Sequence, residues 1–294
     1  MRKMNNNMDT GVRVWQEKLL DRSIRRSRKL TRLKEAVGSS LNFQCLEISE
    51  GDGTISAQLR TLGGSWKTAV ISKEAADSTG YSLSEAITTL ESEKLPFENH
   101  SFDRLVIVDA LKWFPDDAEF IRECHRVLKN DGWLIISESR RMPFSMTALF
   151  QRGFGLAPTS RGSFRNGYKV HELFDKLKDG YDVPETAVYS NGLLESTATL
   201  GEAFQKLITP FPYWLVQEHM PQNEFRCFQH LQTLGNMAFP LLWLLAQFEF
   251  IPGHKLLVRS RRRYWRPRLQ PKLIDGRSIA EAAINTKIGT AAPF

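Results

Sequence analysis

The apolar run Phe43 to Ile48 breaks at Ser49-Glu50-Gly51-Asp52-Gly53, a turn with two glycines one residue apart. A helical run from Ile55 to Leu62 follows. This order of strand, glycine turn and helix constrains the fold. It is the geometry in which a backbone comes close to a nucleotide-like ligand, because glycine has no Cβ to hold the ligand away. Ser49 stands where such a turn usually opens with a third glycine.

Further strands can be placed around this turn. Trp66 to Ile71 reads as a second strand, 82–87 as a short helix and Thr88 to Leu90 as a short strand. Leu105-Val-Ile-Val108, ending at Asp109, and Trp133-Leu-Ile-Ile136 are continuous apolar runs, as expected of buried parallel strands. Asp116 can cap a helix over 117–128, and Asn130-Asp131-Gly132 is a turn. Strands alternating with helices at this spacing predict an α/β fold, a parallel sheet with helices on both faces.

The flanks differ in pattern. Residues 12–37 read as a basic amphipathic helix ending near Gly38, with Trp15, Leu19, Leu30, Leu33 and Val37 on one side. Residues 145–167, rich in Gly, Ser and Arg, read as a loop. A short helix at 170–177 and a strand at 186–189 follow. Leu200 to Phe250 is helical and aromatic-rich, and Lys255 to Val258 is a last strand. The division predicted is an N-terminal helix (1–38), an α/β core (39–190 and 254–263), a helical insertion (191–253) and a tail (264–294).

A chain of 294 residues with 41% apolar and 25% charged residues can bury a full core. Cys45, Cys124 and Cys227 show neither metal-ligand nor disulfide spacing, so no metal site is expected and a reducing compartment is. The first residues lack the apolar core of a signal peptide, and a cytoplasmic location follows as the expectation. The longest apolar run, Met237 to Ile251, contains Pro240, Gln247 and Glu249 and falls short of the ~20 residues that span a bilayer. The net charge of +7 is unevenly placed: from Arg22 to Lys34 every charged residue is basic, and a second basic cluster runs from Lys255 to Arg268. This is a solvated helix face with a basic tail, or a peripheral contact with an anionic membrane; nucleic acid is not the expected partner.

Residues 42–139 resemble the class I S-adenosylmethionine-dependent methyltransferases, in particular the bacterial group with a Leu-Pro-Phe motif. Three passages carry the resemblance: Glu47…Gly51-Asp52-Gly53, Leu95-Pro96-Phe97-Glu98-Asn99-His100-Ser101-Phe102-Asp103, and Glu123-Cys-His-Arg126-Val127-Leu128-Lys129-Asn130-Asp131-Gly132. The resemblance implies a Rossmann-like, seven-stranded sheet with an antiparallel last strand and S-adenosylmethionine as cofactor. It also implies roles. Glu47 would organise the loop and the methionine end, and Ser49, Gly51 and Gly53 would form the loop itself. Glu91 takes the place of the acid near the adenine amino group, and Asp109 and Ala110 lie beside the methyl donor. Ser72 closes the second strand where the family places an acid for the ribose hydroxyls. Losing such charge-assisted hydrogen bonds costs on the order of 1.5–3 kcal/mol, so weak or absent cofactor binding is the competing expectation.

No residue presents itself as catalytic. His100 reads as a turn residue and His125 as a packing residue; His171 begins a helix after the Gly-, Ser- and Arg-rich segment, where it caps the helix or reaches a pocket, and Arg165 and Tyr168 are similarly placed. The leading expectation is a methyltransferase acting on a small or lipid-like acceptor beneath the helical insertion. The alternative is a methyltransferase-like scaffold that has lost the cofactor and binds a protein partner.

Overall fold

A computed structural model describes residues 23–51, 53–83, 85, 87–208, 240, 242–245, 247 and 253–266. Its strands are β1 (Gln44–Ser49), β2 (Ser65–Val70), β3 (Thr88–Thr89), β4 (Phe102–Val108), β5 (Leu128–Ser139), β6 (Tyr181–Asn191) and β7 (Gly253–Arg262). They form one seven-stranded sheet in the order β3-β2-β1-β4-β5-β7-β6. The first five are parallel, and β7 is antiparallel to both β5 and β6. The helices are α1 (Ile24–Val37), α2 (Gly53–Arg60), α3 (Lys73–Leu83), α4 (Asp117–Val127), α5 (Met146–Gly153), α6 (Val170–Leu177) and α7 (Gly192–Ile208). This is the Rossmann-like methyltransferase sheet expected from the sequence, with Lys255 to Val258 inside the antiparallel β7.

The period-2 alternation of each strand sorts its side chains onto two cores. Leu46, Ile48, Leu105, Ile107, Leu134 and Ile136 point to one face, where Phe120, Ile121 and Cys124 of α4 and Leu173 and Leu177 of α6 cover them. Cys45, Val106, Val108 and Ile135 point to the other, against Leu33 and Val37 of α1 and Ile55 and Leu59 of α2. Each fully buried Leu or Ile contributes roughly 1.5–3 kcal/mol by leaving water. The acid inside the first apolar run has a partner: Glu47 is fully buried and accepts hydrogen bonds from Ser56 Oγ at 2.7 Å and Thr68 Oγ1 at 3.3 Å. It fastens α2 to the sheet.

Several local expectations need correction. The helix expected at 82–87 lies earlier, as α3. The 145–167 segment is not a loop throughout. Ser145 caps α5 by accepting from the Ala148 N–H at 3.1 Å, and Pro158–Arg161 forms a 3₁₀ turn. The Asn130-Asp131-Gly132 turn is a bulge within β5, with Asp131 at φ +61°. The α1 helix ends at Gly38 as expected, whereas Trp15 and Leu19 lie outside the described residues. So do Cys227 and most of the aromatic stretch. Among the described residues, no helix is long and apolar enough to cross a membrane.

Candidate active site

Strand order reverses between β1 and β4, which are hydrogen-bonded neighbours from Cys45 to Ser49. An open α/β sheet leaves a crevice at the carboxyl ends of its strands at such a point. A cavity opens there. Ser49 and Glu50 follow β1, Val108 and Asp109 close β4, Ser139 closes β5, and Lys255 enters from β7; α1 and the 140–161 segment complete the walls.

Asp109 lies at the cavity, only 9% exposed and at φ +53°, a left-handed conformation that an Asp tolerates better than most residues. Its carboxylate accepts from Lys29 Nζ of α1 and, at 3.1 Å, from Lys255 Nζ. Burial alone would raise the Asp109 pKa. Lys255, Lys29 and Lys112 outweigh that and hold the carboxyl well below the ordinary carboxylate range. Lys112 bonds Glu50 Oε2 at 3.1 Å and the Asp109 carbonyl. Burial opposes its charge, but Glu50, Glu138 and Asp109 keep Lys112 protonated and push its pKa up. Glu138, fully buried at the end of β5, accepts from the Leu111 N–H at 2.6 Å, and its burial pushes its pKa upward.

The N-terminal helix closes one side. Arg26 Nη2 donates to Thr54 Oγ1 at 3.1 Å, and Arg25 reaches Glu202 at 3.1 Å and Glu195 at 3.5 Å on α7. Part of the basic run from Arg22 to Lys34 therefore faces inward. The hydrogen bond of 2.9 Å between Thr147 Oγ1 and Ser196 Oγ joins α5 to α7 on the opposite side.

The structure brings only two of the sequence-derived site residues, Ser49 and Asp109, to the cavity wall. Glu47 lies under the loop, turned to α2. A Cβ on Gly51, at φ +111°, would stand 2.6 Å from Ala75 Cβ, and one on Gly53 would stand 2.6 Å from Ser82, so both glycines admit α3 to the loop. Ser72 Oγ accepts from the Ala75 N–H at 3.1 Å, starting α3, and Glu91 is exposed with no ion pair among the described residues. Ala110 is fully buried. The residues missed from sequence are Lys29, Lys112, Arg140, Arg152 and Lys255. Lys112 was within reach of sequence reasoning, three residues past the strand-ending Asp109. The others arrive from segments remote in sequence and carry no local signal.

Three of the unassigned polar residues, Tyr168, His125 and His100, make structural contacts. Tyr168 is 1% exposed and its hydroxyl donates to Asp117 Oδ2 at 2.9 Å. His125 Nε2 lies 2.7 Å from the Arg263 carbonyl and packs edge-on against Tyr181 and Trp265. His100 sits at φ +54° with Nδ1 3.1 Å from the Leu128 carbonyl.

A cofactor fit can be tested at Ser49. Its hydroxyl is buried, lines the cavity, and has no hydrogen-bond partner among the described residues. Orphaned buried hydroxyls are uncommon and costly. This one, on the same cavity wall as Asp109, fits a ligand that brings a hydrogen-bonding polar group, such as the amino or carboxylate group of an amino-acid moiety.

Residues 46–136 match a protein-family model described as a methyltransferase domain. A sterol 4-C-methyltransferase of Caenorhabditis elegans is 27% identical over 111 residues, which are 35% of this chain and 33% of that protein. The chain thus matches about a third of the length of this curated relative. Among solved structures, geranyl diphosphate C-methyltransferase from Streptomyces coelicolor aligns with a TM-score of 0.51 at 11% identity over 81% of this chain and 76% of its own. An S-adenosylmethionine-dependent methyltransferase from Mesorhizobium loti aligns at 0.50 and 14% identity, covering 79% and 96%. The [4+2]-cyclase SpnF also aligns at 0.50 and 14%, covering 80% of each chain, so the fold by itself does not fix the reaction. Over residues 46–136 the chain is thus similar to a methyltransferase domain, and its sheet has the fold of solved S-adenosylmethionine-dependent methyltransferases.

Proposed function

We propose that this protein transfers a methyl group from S-adenosylmethionine to a small amphiphilic acceptor. The observation that carries the reading is the cavity at the β1/β4 reversal, whose walls combine charged groups with apolar side chains such as Val108, Met142, Leu156 and Ala157. Bound there, S-adenosylmethionine would supply an electrophilic methyl group. The chain's own part is to bind and orient. Ser49 Oγ would hydrogen-bond the methionine end, and the Asp109 carboxylate, shared with Lys29 and Lys255, would face the cationic sulfur. Glu47, bonded to Ser56 and Thr68, would fix the helix that follows the Gly51 and Gly53 loop. Ser72 and Glu91 would meet the ribose and adenine ends. The 140–161 segment and α7 would hold the acceptor in line with the methyl–sulfur bond and keep water out.

The sterol and prenyl acceptors named for the two relatives support an apolar acceptor here. Incubating the protein with methyl-tritiated S-adenosylmethionine and a total lipid extract should move label into the organic phase. Label confined to the aqueous phase, with the cofactor demonstrably bound, would contradict this choice of acceptor.

A second reading is favoured by one observation, the acid-free end of β2 at Val70-Ile71-Ser72. It makes the protein a scaffold that binds a partner and no cofactor. Cofactor binding separates the two.

A further inference from the structure

We infer that the acceptor is an amphiphile with an anionic head, a carboxylate or phosphate; this rests on the methyl-transfer reading. Cationic side chains outnumber carboxylates on the cavity wall. The carboxylates there are already committed: Asp109 to Lys29 and Lys255, Glu50 to Lys112, and Glu195 and Glu202 to Arg25, with Glu202 also meeting Arg161 at 3.1 Å. Arg140 and Arg152 line the same wall and have no carboxylate partner among the described residues. One Arg140 Nη reaches the Gly253 carbonyl at 3.3 Å, and the rest of its donor fork is open among the described residues. Arg152 lies exposed in the last turn of α5.

A sulfonium brings one more positive charge into this cavity. Several like charges held in a partly dry site repel one another, and an anion relieves that repulsion. The guanidinium fork matches carboxylate and phosphate oxygens two at a time. On the same segment Met142, Pro143, Leu156 and Ala157 offer the apolar contact a chain needs, and Phe144, 93% exposed, continues that surface outward. A neutral polar acceptor would leave the arginines unanswered, and a cationic one would add to the repulsion.

The test uses the full chain saturated with S-adenosylhomocysteine and titrated calorimetrically with dodecyl phosphate, dodecanoate, dodecanol and dodecyltrimethylammonium, all below their micelle concentrations. The two anionic probes should bind at least about ten-fold more tightly than the other two. Arg152→Gln and Arg140→Gln should each weaken dodecyl phosphate about ten-fold or more, while affinity for S-adenosylhomocysteine stays as in the wild type. Dodecanol binding as well as dodecyl phosphate, or both variants binding like the wild type, would overturn the inference. Inorganic phosphate binding as tightly as dodecyl phosphate would overturn the amphiphile part. Vesicles of anionic phospholipid form a separate arm. Loss of the arginine effect there, with it intact for the monomeric probe, assigns the site to a free amphiphile; the converse assigns it to a bilayer headgroup. Anionic probes that bind a protein unable to bind S-adenosylhomocysteine would uphold the anion site and sink the methyl-transfer reading alone.

Discussion

Lys29 and Lys255 bracket the Asp109 carboxylate at the end of β4, where the cationic sulfur of the cofactor is expected. At an effective dielectric near 20, a charge a few ångströms away contributes about 3–4 kcal/mol before solvent screening. Removing one lysine should therefore be visible in the preference between S-adenosylmethionine, with its sulfonium, and the neutral thioether of S-adenosylhomocysteine. Lys29→Met should shift that ratio about ten-fold toward S-adenosylmethionine. An unchanged ratio in paired calorimetric titrations would show that Asp109 does not face the sulfur. Gly51 makes a different kind of prediction. Its φ of +111° and the 2.6 Å approach of an added Cβ to Ala75 Cβ both penalise a side chain. Gly51→Ala should cost about 1–3 kcal/mol in urea unfolding, and a stability equal to wild type would show that the loop has room to shift. Gly51 and Gly53 are legible in the sequence because a strand–glycine–helix turn needs them locally, whereas Glu47 is singled out only by the family resemblance. Lys29 and Lys255 are not, since their proximity to Asp109 spans 80 and 146 residues of chain.

Helix α1 is fixed to the rest of the molecule by tertiary contacts: its exposed residues are Ser27, Thr31, Arg32 and Glu35, and it is held by Leu33 and Val37 in the core, by Arg26 on Thr54, and by Arg25 on α7. Partly exposed ion pairs of the Arg25 kind contribute a few tenths to about 1 kcal/mol. Arg25→Ala should accordingly raise hydrogen exchange of α1 amides several-fold and leave the amides of β4 and β5 unchanged. Equal effects on helix and strands would show global destabilisation instead. The central strands are readable because both their faces are buried and their apolar runs are continuous. The helix α3 is not, because Lys73–Leu83 has no apolar face of helical period; it stands by close approach to the glycine loop through Ala75 and Thr79. Helix α5 escapes sequence reading for the related reason that only Thr147 of its side chains is buried.

Among the described residues, two buried histidines contribute to the acid sensitivity of the whole molecule near neutrality. Burial lowers the pKa of His125 and of His254 from the ordinary 6.5, so both are neutral when folded, and the unfolded chain binds protons more readily. Their contribution is complete above pH 6.5 and is lost as pH falls below it toward the lowered folded values. The midpoint of thermal unfolding should therefore drop between pH 7 and 5.5. A His125→Gln, His254→Gln double variant should have a flatter profile there, whatever its absolute stability, and a profile parallel to wild type would assign the slope to other groups.

On the proposed function, the crevice at the β1/β4 reversal binds S-adenosylmethionine despite Ser49 and the acid-free end of β2. Calorimetric titration of the full chain with S-adenosylhomocysteine tests it most directly. One site per chain should bind in the micromolar range, weakened by Asp109→Asn when S-adenosylmethionine is the ligand. No heat, together with no rise in unfolding temperature at millimolar ligand, would contradict it.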